Sequence, residues 1–264
     1  MNVVAVGTFI ACLAFFVATI FRGIGLEMLF NPNALLIVIG GTTTALFVGF
    51  PVKRIIATLN NIIETFREGS SREILAKEIV EVARIYRKHD VRGLERRART
   101  TGDPFLKLGI TLLANHYKNE DIRAVMERET AIRIIDLNSS QNVLKTLARL
   151  APSFGLAGTV ISLIGMFKNF HSFETMTPLM AVALMSTFYG VVASSLLFLP
   201  LSAKLKEHAT STETFMYMTI EGIIAVNNGE YPLRIEEKIL GYCGAAEDGP
   251  TRNVPILPSL RNAN

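Results

Sequence analysis

Apolar residues fall in four long blocks, Val3 to Phe21, Leu29 to Phe50, Leu147 to Phe170 and Leu179 to Ala203. Each holds roughly the 20 residues that a helix rising about 1.5 Å per residue needs to cross a hydrocarbon core about 30 Å thick. The pattern predicts an all-α integral membrane protein with four transmembrane helices in two hairpins. Only Met1 and Asn2 precede the first block, so the basic stretch that opens a secretory signal is missing and the block is expected to stay as a helix.

The first hairpin turns at Asn31, Pro32 and Asn33, where Pro32 can open the second helix, and Pro51 marks its exit. Beyond it the period becomes that of water-soluble helices. "SSREILAKEIVEVARIYRKHD" puts Ile74, Leu75, Ile79, Val82, Ala83 and Tyr86 at helical spacing, with Ser71 as N-cap. "GLERRARTTGDPF" predicts a short helix ending at Gly102, because Asp103 and Pro104 resist continuation. Two more helices follow, and the one opening at "NEDIRAVMERE" can run unbroken into the third span. The expected organisation is a hairpin over 1–50, a helical loop domain over 51–146, a second hairpin over 147–203, a helical extension over 204–243 and a disordered tail over 244–264.

The 264 residues are half hydrophobic and the mean hydropathy is +0.35, too apolar for a globule surrounded by water. Lys and Arg concentrate in the long loop and after Ala203, whereas the two short links hold little more than Arg22 and Lys168. Both termini and the loop are therefore expected on the cytoplasmic side of the membrane. The net charge of +4 is a topology signal, and nothing points to nucleic acid. Cys12 and Cys243 are too differently placed to meet, so no disulfide is expected.

Candidate chemistry lies in the second hairpin. Gly155, Gly158, Thr159, Ser162 and Gly165 share one helical face, as do Ala183, Ser186, Thr187, Gly190 and Ser194. The plainer use of such faces is close packing of membrane helices. Paired in one hairpin, they also form a seam of hydroxyls. Membrane ion relays use an intramembrane Asp or Glu, and none of the four blocks holds one. If the seam passes ions, the carboxylate comes from another polypeptide. Pro152 and Pro200 stand near the cytoplasmic ends of these helices and mark either tolerated kinks or a hinge level. The charge-dense "YRKHDVRGLERRAR" is a solvated helix face or a docking surface. The four histidines show no metal spacing, no phosphate loop or nucleophile motif is present, and no enzyme is expected.

"NPNALLIVIGGT", "APSFGLAGTVISLIGMF", "MAVALMSTFYGVVASSLLFLPLSAKL" and "EGIIAVNNGEYP", arranged around a charged loop, resemble the flagellar motor stator A subunit, the MotA/PomA family. The resemblance covers about residues 1 to 245. It implies a homo-oligomer, a pentameric ring around two MotB/PomB-type B subunits that bring the ion-binding aspartate. Flow of Na+ or H+ would turn the ring, whose cytoplasmic charges engage the rotor switch protein FliG; no other cofactor is implied. On matched positions, Thr159 and Thr187, with Ser162 and Ser186, would line the ion path. Pro152 and Pro200 would be the conformational prolines, and Arg87, Lys88 and Glu95 the rotor-facing charges. Asn31 stands where some sodium-type relatives have an acid, and Arg96 and Arg97 follow Glu95 where those relatives have further acid. Thr159 resembles sodium-driven members, so sodium is expected over protons. Two other readings are an ExbB/TolQ-type energiser, which usually has three spans, and a scaffold whose seam only packs helices.

Overall fold

A computed structural model describes residues 30–66, 72–168 and 173–247, all organised by helices. The first expected span, Cys12, His171, the Ser71 cap and most of the C-terminal tail lie outside these residues. In chain order the helices are α1 (Pro32–Gly49), α2 (Val52–Phe66), α3 (Arg72–Arg87), α4 (Val91–Thr100), α5 (Pro104–Ala114), α6 (Asn119–Lys168), α7 (Phe173–Val192), a π-helical stretch (Ala193–Phe198), α8 (Leu199–Asn227) and α9 (Pro232–Glu247). Three described helices are long and apolar enough to cross a membrane: α1, α6 and the run Met176–Asn227.

Local chemistry sets the helix starts. Asn31 Oδ1 accepts from the Ala34 amide at 3.1 Å, and Pro32 follows where no amide donor is needed. Asp90 caps α4 through the Gly93 amide at 2.8 Å, and Asp103 caps α5 through the Phe105 amide at 2.8 Å. α6 is a single helix of 50 residues, about 75 Å long at 1.5 Å per residue.

The chain divides into two compact units. The first comprises residues 1–60 and 140–204 and holds α1, the spanning part of α6, and α7. There α1 packs on α7 and large apolar side chains point outward, Leu36, Val48, Leu156 and Leu184 among them. The second comprises residues 61–139 and 205–264. It encloses a core of Leu75, Ile79, Leu106, Ile110, Ile223 and neighbours, with α3 packed on α9 and α4 on α5.

Three differences from expectation stand out. Val52–Phe66 is a helix in its own right, with Val52, Ile56, Leu59, Ile63 and Phe66 exposed along one face and Thr58 and Asn61 buried on the other. This inverts the usual arrangement, so a search for an apolar core-facing stripe passes over it. On α3 the buried arc runs through Leu75, Ala76, Ile79, Val82 and Ala83, whereas Ile74 is exposed because neighbouring helical positions lie about 100° apart. α9 continues to Glu247, four residues beyond the Cys243 boundary, so the glycine at 244 does not stop it.

Candidate functional site

The second hairpin is built on backbone approach. A Cβ on Gly155 would stand 2.8 Å from the Ser186 carbonyl oxygen, one on Gly158 2.6 Å from Ser186 Oγ, and one on Gly190 2.6 Å from the Ala151 carbonyl oxygen. α6 and α7 therefore meet closely at three points where any side chain would push them apart. Gly41 of α1 lies under the Phe154 ring. Ser186 thus sits against Gly158, Thr187 against Gly155, and Pro152 against Gly190.

The four hydroxyls of the expected ion path are not equivalent. Ser162 and Ser186 are buried, and Ser186 Oγ donates to the Ala183 carbonyl at 2.9 Å. Thr159 is half-buried and donates back to the Leu156 carbonyl at 2.6 Å. Thr187 Oγ1 is buried and finds no hydrogen-bond partner among the described residues. The cause is local. A helical threonine normally turns its hydroxyl to the carbonyl four residues back, here that of Ala183, which Ser186 already uses. Leaving such an oxygen empty in an apolar medium costs about 1–3 kcal/mol, so it is suited to a ligand from outside the chain.

The prolines have structural counterparts. Pro152 lies inside α6 and cannot donate to the Ala148 carbonyl four residues earlier. Ser194 Oγ takes the vacant place, donating to Ala148 O at 2.6 Å from the other arm of the hairpin. Pro200 stands two residues after the π-helical stretch, whose capping Leu199 amide reaches back five residues to the Ser194 carbonyl. The wider register absorbs the proline before α8 resumes. Sequence reasoning placed Ser194 on the small-residue face but missed this role. The available signal was Pro152 itself, which predicts an orphaned carbonyl at Ala148.

The expected rotor-facing charges lie in the second unit. Arg87 and Lys88 stand exposed where α3 ends, and Glu95 is exposed on α4. The Arg87 guanidinium carbon lies 4.4 Å from the centroid of the Tyr231 ring. Arg96 is exposed, but Arg97 turns inward to Glu78 at 3.2 Å and Glu81 at 3.3 Å, so it serves the fold and not the surface. Burial opposes the Arg123 charge, yet Glu221 at 2.7 Å and Glu127 hold its pKa above the ordinary value. A cavity of about 750 Å³ brings His208 together with Glu64, Glu129 and Arg133. Burial, reinforced by the Arg133 charge and partly opposed by Glu64, lowers the His208 pKa.

Comparison with known proteins places these features. Residues 97–218 match the MotA/TolQ/ExbB proton channel family. The chain is 30% identical over 224 residues to the uncharacterized protein YtxD of Bacillus subtilis (strain 168), covering 84% of this chain and 82% of that one. It is 27% identical over 256 residues to Motility protein A of the same organism, covering 94% and 95%. Its fold matches the flagellar MotAB stator complex from Bacillus subtilis with a TM-score of 0.80 at 27% identity, covering 92% of this chain and 96% of that one.

Proposed function

This chain belongs to the MotA/TolQ/ExbB proton channel family, within its MotA/PomA branch, and on that premise we propose that it is the A subunit of a flagellar stator. With a B subunit it passes ions down their gradient across the inner membrane and turns the flow into torque on the rotor. The single observation that supports the ion path most directly is Thr187. Among the described residues its hydroxyl is buried without a partner, beside a glycine seam whose helices, from Ser140 to Lys168 and from Met176 to Ala203, contain no acid. A carboxylate on a partner helix would complete that site.

Each residue has a distinct part in this reading. Gly155, Gly158 and Gly190 hold α6 and α7 together. Thr187 offers its oxygen to the ion or to the partner's carboxyl group. Thr159 and Ser186 give their protons to their own helices and keep oxygen lone pairs for a cation. Sodium is the proposed ion, because several hydroxyl oxygens can replace part of its water shell. Pro152 and Pro200 loosen the ladder at two points where the membrane helices can shift. A pentameric ring around two B subunits, FliG as the rotor partner and both termini in the cytoplasm complete the proposal.

The test is motility of a stator-deleted flagellated host carrying this chain and its cognate B subunit, recorded as external sodium varies at fixed pH. Speed rising with sodium supports the assignment, and speed that follows pH alone transfers the coupling to protons. Thr187→Val and Pro152→Leu are expected to abolish motility with the membrane complex intact. Full motility in both variants would reduce the seam to helix packing.

A further inference from the structure

The cavity that holds His208 lies wholly within the second unit, and its volume of about 750 Å³ is that of a ligand pocket. Its floor is apolar. Phe105 and Met216 are buried there and Leu108 and Phe215 half-buried, two residues from α5 and two from α8. Its rim is acidic, with Glu64, Asp103 and Glu129 set against the one guanidinium of Arg133. Glu64 pairs with Arg133 at 2.7 Å, and Asp103 accepts from the Phe105 amide at 2.8 Å. Glu129 is exposed and makes no ion pair among the described residues, so its charge is uncommitted. His208 does not offset it, because burial lowers the pKa and leaves the ring neutral at pH 7. An occupant suited to this cavity has an apolar strip flanked by cations.

The chain itself carries such a strip after α9. Residues 249–264 read GPTRNVPILPSLRNAN, with two arginines, four branched aliphatic side chains and no acid. Pro250, Pro255 and Pro258 would each remove a donor from an α-helix, whereas polyproline II, with three residues per turn, needs none. At that period Val254, Leu257 and Leu260 fall on one edge, and Arg252, Pro255, Pro258 and Arg261 on the next. The apolar edge would be about 19 Å long at about 3.1 Å per residue. From Glu247, where α9 ends, extended chain carries Val254 about 23 Å and Leu260 about 43 Å at about 3.3 Å per residue. That is long beside the radius of gyration of about 14 Å expected for a domain of about 120 residues.

We propose that residues 252–261 dock in this cavity as a polyproline II strap, with Val254, Leu257 and Leu260 on the Phe105 and Phe215 rings and the arginines at the rim carboxylates. The inference goes beyond the torque-generating reading and does not depend on it. Proline-rich segments suit aromatic-lined grooves because their conformation is largely fixed beforehand and little chain entropy is lost on binding. Pro255 and Pro258 have the P-x-x-P spacing of such ligands. Once docked, the strap would tie α5 to α6 and α8, the three helices that supply Phe105, Glu129 and Phe215.

The experiment uses the full complex with its B subunit, in a chain whose Cys12 and Cys243 are replaced by serine. Ser211→Cys places a thiol on the exposed rim, and Ser259→Cys places one on the third, polar edge of the strap. Mild oxidation is followed by a denaturing gel and mass spectrometry of the digest, which separate disulfides within one chain from those joining two. A disulfide within one chain is expected. Leu257→Ser should lower its yield about tenfold, as loss of an interface anchor does. Glu129→Gln should lower it about two- to fivefold, the range of an exposed ion pair. Exchanging the charges, Glu129→Arg with Arg252→Glu and Arg261→Glu, should restore it.

A synthetic peptide of residues 249–264 in excess should suppress the disulfide without any change to the cavity, and the same peptide with serine at 254, 257 and 260 should not. Absence of the disulfide, a yield indifferent to Leu257→Ser, or equal suppression by both peptides overturns the inference. A disulfide that joins two chains gives the cavity to the tail of a neighbouring copy and overturns it as well. Motility plays no part in these readouts, so failure of the strap and failure of the stator reading are told apart.

Discussion

The two units are stabilised by opposite uses of side-chain size. In the second, Leu75, Leu106, Ile110, Ile122, Met126 and Ile223 are almost wholly buried, as water demands of a domain that must hide its apolar surface. In the first, Val48 is 85% exposed and Leu156 63%, while the interior contacts are made by Gly155, Gly158 and Gly190. Lipid tails solvate leucine as well as a core does, so hiding it gains little there, whereas bringing backbones together gains dispersion and hydrogen bonds. A large side chain therefore belongs inside one unit and outside the other.

Substitution tests that contrast directly. The largest effect is expected from Gly190→Val, whose Cβ meets a backbone carbonyl that cannot move aside. It should cost more than about 3 kcal/mol and prevent recovery of a stable complex, seen as loss of the intact species on size-exclusion chromatography. Leu106→Ala should cost about 2–5 kcal/mol in the second unit, whereas Val48→Ala should stay within about 0.5 kcal/mol, both read from denaturant unfolding of the solubilised complex. Equal losses in the pair would break the comparison.

Ser194→Ala leaves the Ala148 carbonyl without its donor and should cost about 1–3 kcal/mol. With Pro152→Ala added, the restored amide can donate to Ala148, so the loss should shrink in the double variant. An additive loss would break the pairing. The smallest effect concerns pH. His208 has a folded-state pKa below its ordinary 6.5, so the unfolded chain takes up the proton first. Its contribution is present at neutral pH and is lost as pH falls below that value. Thermal midpoints of wild type and His208→Gln should converge as pH drops from about 7.5 to about 5.5, and parallel curves would exclude this histidine as the source.

Much of the membrane part was legible because its signals are local. The apolar blocks, the Asn31–Pro32 start of α1, the unbroken run of α6 and the small-residue faces all follow from spacing along one chain segment. The inverted faces of α2 were not, because the burial of Asn61 depends on a distant partner, Asp136, whose Oδ2 accepts from Asn61 Nδ2 at 2.8 Å. Nor was the difference between Thr187 and Thr159. Both are helical threonines, yet Thr159 donates to its own helix and Thr187 does not. The contact of Arg87 with the Tyr231 ring was equally hidden, since 144 positions separate the two along the chain. The same holds for Ser194 and Ala148, 46 positions apart.

That last contact behaves as a clasp between two rods. Breaking an ordinary helical bond disturbs its neighbours in the ladder, but the bond at Ala148 is held from outside and can open while both helices stay whole. At about 1–3 kcal/mol for opening a buried bond, such a clasp stands open in between about one molecule in six and about one in 160 at room temperature. That bond can thus open and close again without unwinding either helix.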